Sequence, residues 1–280
     1  MGYFILEGCD VEKESLSEFF GEHLAASIDE YRKGIVLPVD KPYRWTSADV
    51  VRKIKFQIQK HFKQKKIKVG HAGTLDPLAT GLLIVCVGKA TKIAEELQSQ
   101  EKEYIATIEF GATTPSFDLE QEIDAYYPFK HITEEMVRNA LKEFEGEQLQ
   151  VPPLFSAKVV DGLRAYEYAR AGEEVKLRKS LINITGIELL SFTEASAENQ
   201  ESEEKNEEES IQEASPGGKY YYHHSSSKSD GTRPYATIRV RCSKGTYIRS
   251  LARDLGCTLG SGGYLTALRR TASGDFVLNN

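Results

Sequence analysis

Two spacings of apolar residues follow one another along the chain and predict a mixture of strands and helices. The uninterrupted apolar run Leu82–Val87 is typical of a buried strand, whereas Glu103–Phe110 and Tyr235–Cys242 alternate apolar with polar positions, as half-buried strands do. Because strands and helices are mixed without a strict strand–helix–strand rhythm, the pattern predicts the α+β class.

Helical spacing is clearest behind Thr46. Thr46 and Asp49 have the spacing of a capping box, in which each side chain bonds the other residue's backbone at the start of a helix. The helix that they open carries its apolar residues on one face, namely Val50, Val51, Ile54 and Ile58. Further predicted elements are a strand at Gly34–Asp40, a short helix near Ala90–Leu97, a helix capped by Thr133 and running through Phe144, a short helix at Arg164–Ala171, a strand at Ser180–Phe192, a helix at Thr246–Leu255, and a last helix and strand that end near Leu278.

Composition divides the chain into three parts. Residues 1–33 form an acidic extension that we expect to be mostly helical, and 34–278 form the main domain. Residues 194–234 are rich in Glu, Ser and Gly, which is too polar to bury an apolar core, so we expect a partly mobile insertion between two paired strands. No sequence repeat is evident.

The net charge of −6 conceals a basic body. Residues 1–31 hold eight acids against Lys13, and residues 194–213 hold nine glutamates against Lys205. These segments carry −7 and −8, which leaves +9 for the rest of the chain. Such asymmetry favours a polyanionic partner despite the acidic average.

The cysteines and the apolar runs indicate a location. None of the four cysteines stands in a C-x-x-C pair, so we expect free thiols in a reducing compartment. No apolar run approaches the length of a membrane span and no secretory signal is evident. The sequence therefore predicts a cytoplasmic protein with no membrane partner, and the scattered histidines give no metal template.

One carboxylate, Asp76, stands in a loop with a constrained backbone. Gly70, Gly73 and Gly81 permit positive φ, and Pro77 fixes its own φ. Rigid presentation of one charged group is what catalysis by orientation requires. A plain Asp-Pro turn, in which the Asp side chain bonds its own backbone, explains the same residues.

Two basic segments accompany this loop. Residues 50–75 contain eight lysines and arginines and no acid, with Lys65 and Lys66 among them, which suits phosphate binding but also a merely solvated face. In the second segment, Tyr247 lies where a strand gives way to a helix, and Arg249 shares one helix face with Arg253. Tyr247 as a core aromatic and Arg249 as a surface charge remain alternatives to a site in which Arg249 pairs with Asp76.

Several ordered segments together resemble the TruB-type tRNA pseudouridine synthases. The resemblance covers about residues 34–192 and 235–275, and the Asp76 loop resembles the family's catalytic motif. Two departures are Ala72, where the family often has Thr, and Arg44, where it often has Gly, so the turn at Arg44 is expected to differ in conformation. The resembling segments are Asp40–Ser47, Gly70–Gly81, Lys102–Tyr104, Pro152–Lys158, Tyr166–Arg170, Ser243–Arg249 and Leu268–Arg270.

The resemblance implies a fold and an activity. The fold would be a mixed central sheet flanked by helices, with an RNA-binding cleft. The activity would be conversion of the T-loop uridine of tRNA, uridine 55, to pseudouridine, without a metal or an organic cofactor. The partner would be the T-arm of tRNA, with no obligate protein partner. Because the chain ends soon after Arg270, the C-terminal RNA-binding (PUA) domain of many relatives is expected to be absent.

The resemblance also implies roles for individual residues. Asp76 would be the catalytic carboxylate, Tyr104 would stack on the flipped uracil and assist removal of the C5 proton, and Arg249 would pair with Asp76. Whether Asp76 attacks the sugar C1′ or the base C6, or acts as a base, stays open. The supporting roles fall to Tyr247 beside the base, Leu268 in the uracil pocket, His71 holding the opened loop, Lys41 and Pro42 supporting the site, and Lys65 and Lys66 on phosphates.

Two other functions remain compatible with these residues. The first is a non-catalytic RNA-binding or tRNA-folding protein, which needs only the basic surface. The second is a pseudouridine synthase that acts on another structured RNA. Release of tritium from [5-³H]uridine-labelled tRNA would separate the first alternative from the enzyme.

Overall fold

A computed structural model describes residues 27–156, 158–160, 162–165, 167–168, 177–195 and 232–278. Its helices are α1 (Ile28–Lys33), α2 (Ser47–His61), α3 (Ala94–Ser99), α4 (Glu134–Lys142) and α5 (Ile248–Thr258), and a 3-10 helix spans Gly88–Ile93. Its strands are β1 (Ile35–Lys41), β2 (Val69–His71), β3 (Thr80–Val87), β4 (Lys102–Phe110), β5 (Ala112–Thr113), β6 (Ala125–Tyr126), β7 (Gly146–Gln150), β8 (Val159–Val160), β9 (Leu163–Arg164), β10 (Ser180–Thr193), β11 (Tyr235–Cys242), β12 (Gly263–Ser273) and β13 (Phe276–Val277).

Most strands join one mixed sheet, as the α+β prediction requires. The strand order is β1-β3-β12-β4-β11-β10-β7, with β2 beside β3 and β13 beside β12. Strand β3 pairs antiparallel with β1 and parallel with β12, so that Arg270 lies opposite Gly81. Strands β10 and β11 are neighbours, which confirms that residues 194–234 connect two paired strands.

The chain divides into two compact units. The first unit holds the described residues of Met1–Ile105, Arg241–Lys244 and Ala267–Asn280, and the second holds those of Ala106–Val240 and Gly245–Thr266. That residues 34–278 form one catalytic domain stays a prediction.

Strand β3 carries the core of the first unit on both of its faces. Leu83 and Val85 belong to one buried cluster, which also contains residues of β1 and of α2, whereas Leu82 and Ile84 belong to another. Successive side chains of a strand point to opposite faces, and both faces here are covered. This explains why the sequence of β3 is uninterrupted in its apolar character.

Helix α2 begins at the predicted capping box. The hydroxyl of Thr46 accepts from the backbone N–H of Asp49, and the Asp49 carboxylate accepts from the backbone N–H of Thr46. Val50, Ile54 and Ile58 are buried, as the spacing predicts, whereas Val51 is only partly buried. Val51 lies one position outside the i, i+4 row that faces the core.

Several predicted elements differ from the structure. No helix precedes the final strands in 259–278: β12 runs directly into β13, because pairing of β12 with β3 and with β13 places it inside the sheet. Arg164 belongs to strand β9 rather than to a helix, and helical geometry begins at Ala165. The predicted helix near Ala90–Leu97 is a 3-10 helix followed by α3.

Other predicted boundaries shift by a few residues, and some predictions fall outside the description. Helix α4 has the predicted Thr133 cap but ends at Lys142, and α5 begins at Ile248. In the acidic extension, α1 is helical as expected, while residues 1–26 lie outside the described residues. The expected mobility of the insertion falls on 196–231, which also lie outside them.

Candidate active site

Asp76 opens a tight β-turn in the first unit. The backbone N–H of Ala79 donates to the carbonyl of Asp76 over 3.1 Å, and Pro77 stands at the second position, where its fixed φ suits the turn. A backbone turn is therefore present at Asp76 and Pro77. Asp76 is only partly buried, and it has electrostatic contact with neighbouring side chains.

The ammonium group of Lys41 holds this turn to the end of β1. Lys41 is fully buried, and its Nζ donates to the carbonyl oxygens of Pro42 (3.0 Å), Trp45 (2.5 Å) and Pro77 (3.2 Å). One cation thus joins the segment Pro42–Trp45 to the residue that follows Asp76. The geometry agrees with a supporting position for Lys41 and Pro42.

Two further buried side chains hold the backbone of the segment that leads into the turn. The hydroxyl of Ser47 is 2.9 Å from the backbone nitrogen and 3.1 Å from the carbonyl oxygen of Leu75. Arg270 is 1% exposed and donates from Nε to the carbonyl of Leu82 over 2.6 Å and from Nη2 to that of Gly73 over 3.2 Å. The backbone on both sides of Asp76 is therefore fixed by buried donors.

Glycine is required where the loop returns to the sheet. Gly81 has a φ of 96°, and a Cβ built there would be 2.3 Å from the backbone oxygen of Arg270. Any side chain would force β3 and β12 apart. Gly73 also has a positive φ, whereas Gly70 lies in β2, where the backbone is extended, and does not use the freedom that glycine permits.

Tyr104 lies beside this loop in the same unit. Its ring packs against the core cluster that contains Leu75, and Leu268 packs against the same cluster. The positive charge of Arg270 and the negative charge of Asp76 both act on the Tyr104 hydroxyl. Burial raises the pKa of the Tyr104 phenol above its ordinary value, against the opposing effect of Arg270, so that the hydroxyl keeps its proton at neutral pH.

The charges around Lys41 act in opposite directions on its ionisation. Burial lowers the pKa of Lys41 from 10.5 to about 8, which makes it far easier to discharge than an ordinary lysine. Asp76 raises that pKa and Arg270 lowers it. Lys41 is therefore a cation whose charge is sustained by the candidate catalytic carboxylate.

His71 is the last residue of β2, and it is partly buried. Its Nδ1 is buried and finds no hydrogen-bond partner among the described residues. Burial, with a smaller effect from Arg270, lowers the pKa of His71, so the imidazole is neutral at neutral pH.

Lys65 and Lys66 are close to this loop in sequence but not in space. Ser47, at the start of α2, contacts the Asp76 loop, and α2 then runs 15 residues away from it, or about 22 Å at 1.5 Å per residue. The two lysines follow the far end of that helix and are exposed. The lysines and arginines of residues 50–75 are therefore spread along the first unit rather than gathered at the Asp76 loop.

Arg249 is held in the second unit by a set of buried acceptors. It is 4% exposed, and its Nη1 and Nη2 donate to the carbonyl oxygens of Ser116 (3.2 Å) and Phe155 (3.0 Å). Its Nε is 3.6 Å from the carboxylate of Asp118, which also accepts from the Ser116 hydroxyl. The alternative of an exposed surface charge is wrong for Arg249.

Tyr247 stands at the N-terminal end of α5, at the predicted passage from strand to helix. The side-chain amide of Gln150 clamps its backbone: the Tyr247 N–H donates to Oε1 over 2.9 Å, and Nε2 donates to the Tyr247 carbonyl over 3.1 Å. Tyr247 is partly buried rather than a fully buried core aromatic. Strand β7 thus fixes the position at which this ring leaves the backbone.

Sequence reasoning missed the residues that position the others. Arg270 could have been found from strand alternation, because it shares a face of β12 with Leu268. Ser47 stood in a quoted segment without a role. Gln150 and Asp118 lie outside every segment that we singled out, and neither has a local signal.

Two further properties concern the described residues only. No group of three or more His, Cys, Asp or Glu side chains in them is arranged to hold a metal ion. None of the helices among them has both the length and the apolar character to cross a membrane.

Known proteins are similar in sequence to this chain along most of its length. Residues 59–208 match the profile described as TruB family pseudouridylate synthase, N-terminal domain. The chain is 49% identical over 250 residues to the tRNA pseudouridine synthase B of Phocaeicola vulgatus, covering 89% of this chain and 90% of that protein. It is 44% identical over 253 residues to the protein of the same name from Flavobacterium johnsoniae, covering 90% and 93%.

Solved structures support the fold. A Cbf5-Nop10-Gar1 complex contains a chain with a TM-score of 0.56 and 28% identity, which covers 90% of this chain and 53% of that one. An H/ACA RNP bound to a substrate RNA containing 2′-deoxyuridine contains another, with a TM-score of 0.53 and 26% identity, covering 90% and 51%. This chain thus spans about half of each of those chains.

The mixed sheet and these relatives define the class: a pseudouridine synthase. The profile covers more than half of the chain, and the relatives match over nearly all of it. The chain belongs to the TruB family of pseudouridylate synthases.

Proposed function

We propose that this chain isomerises uridine 55, in the T loop of tRNA, to pseudouridine, and that Asp76 is the catalytic carboxylate. The reaction class follows from the family, and the bacterial relatives are named for tRNA pseudouridine synthesis. The observation that carries the assignment of Asp76 is its turn. One carboxylate stands on a backbone braced by the buried side chains of Lys41, Ser47 and Arg270.

The chemistry requires such a group. The N1–C1′ bond breaks, the uracil turns, and a C5–C1′ bond forms; the C5 proton is lost and N1 gains one, so atoms and charge balance. An ionised Asp76 serves each of the open routes, which are attack at C1′, addition at C6, and action as a base.

The target base has to leave its stack, which costs a few kcal/mol. Stacking on one aromatic ring returns about 1–3 kcal/mol. Tyr104 is the aromatic side chain that we propose for this, because it is partly exposed and lies within electrostatic range of Asp76. Its hydroxyl, which keeps its proton at neutral pH, is the group that we propose to assist at C5. Leu268, packed on the same cluster, would line the uracil pocket.

We extend the proposal to Arg249 as the guanidinium partner of Asp76 and to Tyr247 as a ring beside the base. What supports Arg249 is its burial, since a buried charge is ordinarily paired with an opposite charge. A double-mutant cycle tests the pair: Asp76→Asn and Arg249→Met should be coupled in free energy of unfolding, as Asp118→Asn and Arg249→Met should be. Strict additivity for Asp76 and Arg249 would contradict the pairing.

We also propose that His71 contacts the opened T loop and that Lys65 and Lys66 bind phosphates of tRNA. The partial exposure of His71 and the exposure of the two lysines support this. A cytoplasmic location belongs to the same proposal, and it is supported by Cys86, Cys242 and Cys257, which are free thiols.

The deciding experiment is tritium release from unmodified tRNA labelled with [5-³H]uridine, followed by mapping of the modified nucleotide. We expect release from wild-type protein, modification at the T-loop uridine, and no turnover by Asp76→Asn, which should still bind tRNA. An active Asp76→Asn protein would remove Asp76 from the mechanism. Binding of tRNA without release by the wild type would favour the non-catalytic RNA-binding protein. Equal activity on a T-arm hairpin and on an unrelated stem-loop would favour a pseudouridine synthase that acts on another structured RNA.

A further inference from the structure

Arg44 occupies a position in a tight turn where glycine is the expected residue. The backbone N–H of Trp45 donates to the carbonyl of Pro42 over 3.4 Å, which closes a four-residue turn, and Arg44, its third residue, has a φ of 66°. A type II turn requires positive φ at this position and ordinarily has Gly there. Arg44 itself adopts the left-handed conformation, which is unfavourable for a residue with a Cβ.

A second exposed cation with positive φ has a structural explanation that Arg44 lacks. Lys63 has a φ of 50°, but it follows the end of α2, where the N–H of Gln64 donates to the carbonyl of Gln59 over 2.9 Å. Left-handed residues commonly end helices in this way. No helix ends at Arg44, so its conformation is set by the turn alone.

Among the described residues, the side chain of Arg44 makes no hydrogen bond or ion pair that would explain why an arginine is kept there. It is exposed, and its guanidinium lies 5.5 Å from the centre of the Tyr43 ring, which is itself 48% exposed. Among the described residues, no carboxylate forms an ion pair with it. A cation stacked on an aromatic ring is oriented but remains available to an anion.

The turn that carries Arg44 adjoins the turn that carries Asp76. Lys41 donates to the carbonyls of Pro42 and Trp45, which are the two ends of the first turn, and to that of Pro77 in the second. Because one nitrogen bonds all three oxygens, the two turns lie side by side within the first unit. A guanidinium binds phosphate through two parallel hydrogen bonds, which an ammonium does not.

We propose that Arg44, oriented by the Tyr43 ring, binds a phosphate of the tRNA next to the uridine that reacts at Asp76. Arg44 is then a substrate-positioning residue, and the backbone strain of its turn is retained because the side chain is needed there. This inference rests on the proposed function, since it takes tRNA as the ligand.

The substitution Arg44→Gly separates this role from a structural one. It removes the guanidinium and installs the residue that adopts this φ without strain, so we expect a melting temperature equal to or above that of the wild type. Against that gain, we expect the KM for tRNA to rise about 5–10-fold with a much smaller change in kcat. The slope of log Kd against log salt concentration should fall by about 0.7–0.9, the value of one lost phosphate contact. Arg44→Lys should keep the wild-type salt slope, and its KM should lie between those of Arg44→Gly and the wild type.

Two controls match the two effects of Arg44→Gly. Lys63→Gly installs glycine at the other exposed cation of positive φ and should raise the melting temperature in the same way. Lys142→Ala removes an exposed cation of α4 whose side chain bonds Asn139, and it should leave KM and the salt slope unchanged.

The outcomes separate this inference from the proposed function. A wild-type KM and salt slope in Arg44→Gly, in an active enzyme, would overturn the role of Arg44 and leave the function standing. Wild-type protein that binds tRNA but forms no pseudouridine would overturn the function, while the salt slope of Arg44→Gly would still decide the phosphate contact. Failure of the wild type to bind tRNA would overturn both.

Discussion

The guanidinium of Arg270 donates a hydrogen bond to the carbonyl of Gly73, a residue 197 positions earlier in the chain. The same side chain bonds the carbonyl of Leu82. One buried cation therefore fixes the entry to the Asp76 loop and the strand that follows it.

The substitution Arg270→Met should impair both stability and turnover. It leaves two buried carbonyls without donors, and each orphaned acceptor costs about 1–3 kcal/mol, so we expect a loss of about 2–4 kcal/mol in free energy of unfolding. Looser placement of Asp76 should lower kcat by at least about tenfold, since small misplacements of a catalytic group are costly. Denaturant unfolding and tritium release measure the two effects.

The neighbouring Arg269 provides the control for Arg270. It points to the other face of β12 and pairs with Asp40 through two hydrogen bonds of 3.0 and 2.6 Å, while remaining 36% exposed. Arg269→Met should lower the free energy of unfolding by no more than about 1 kcal/mol, since partly exposed ion pairs contribute no more than that. Equal losses of kcat in the two variants would contradict a specific role of Arg270 in holding the loop.

Activity should decline as the pH rises through about 8, because Lys41 then loses its proton. The pKa of Lys41 is about 8 in the folded protein against 10.5 for an ordinary lysine, with burial as the main cause. The neutral amine no longer attracts Asp76, and it has two N–H donors for three carbonyls. A profile of kcat against pH, with circular dichroism to confirm folding, measures this decline.

The same ionisation has the opposite effect on stability. Between pH 8 and 10.5 the unfolded chain binds a proton at Lys41 that the folded protein lacks, so this residue makes the free energy of unfolding rise with pH over that window. Lys41→Met should have a low kcat with no decline near pH 8. A decline of wild-type size in that variant would assign the ionisation to another group.

Two substitutions of Tyr104 should separate stacking from its hydroxyl. Tyr104→Leu removes the ring, and a loss of about 1–3 kcal/mol of stacking corresponds to a decrease of about 5–150-fold in kcat/KM. Tyr104→Phe keeps the ring and removes only the hydroxyl. If the hydroxyl assists at C5, Phe should lower kcat while leaving the KM for tRNA near that of the wild type. Full activity of Tyr104→Phe would restrict Tyr104 to stacking.

Charge reversal at Lys65 and Lys66 should weaken tRNA binding without changing kcat. These exposed lysines follow the end of α2 that lies away from the Asp76 loop, so they can contact the RNA only at a distance from the chemistry. We expect the slope of log Kd against log salt concentration to fall by about 0.7–0.9 for each lost contact. Lys142→Glu is the control. An unchanged slope in the double variant would indicate that Lys65 and Lys66 are solvated and do not contact the RNA.

The parts of the fold that were predicted from sequence are those set by neighbouring residues. The Thr46–Asp49 capping box and the boundaries of β11 follow from local spacing, and the structure confirms them. The supposed last helix failed because short apolar segments fit either element, and only pairing within the sheet makes β12 a strand.

The sequence by itself determined which residues are available for chemistry: a single aspartate in a Gly- and Pro-rich turn, a tyrosine on a strand, and ordered segments that resemble one family. Only the tertiary structure decided what holds Asp76, that Arg249 lies against Asp118, and that Lys65 and Lys66 are remote from the loop. The physical reason is that turns and helix caps are closed by bonds between near neighbours. The hydrogen bonds of Lys41 and Arg270 to the loop instead join residues 36 and 197 positions apart, which meet only through the order of strands in the sheet.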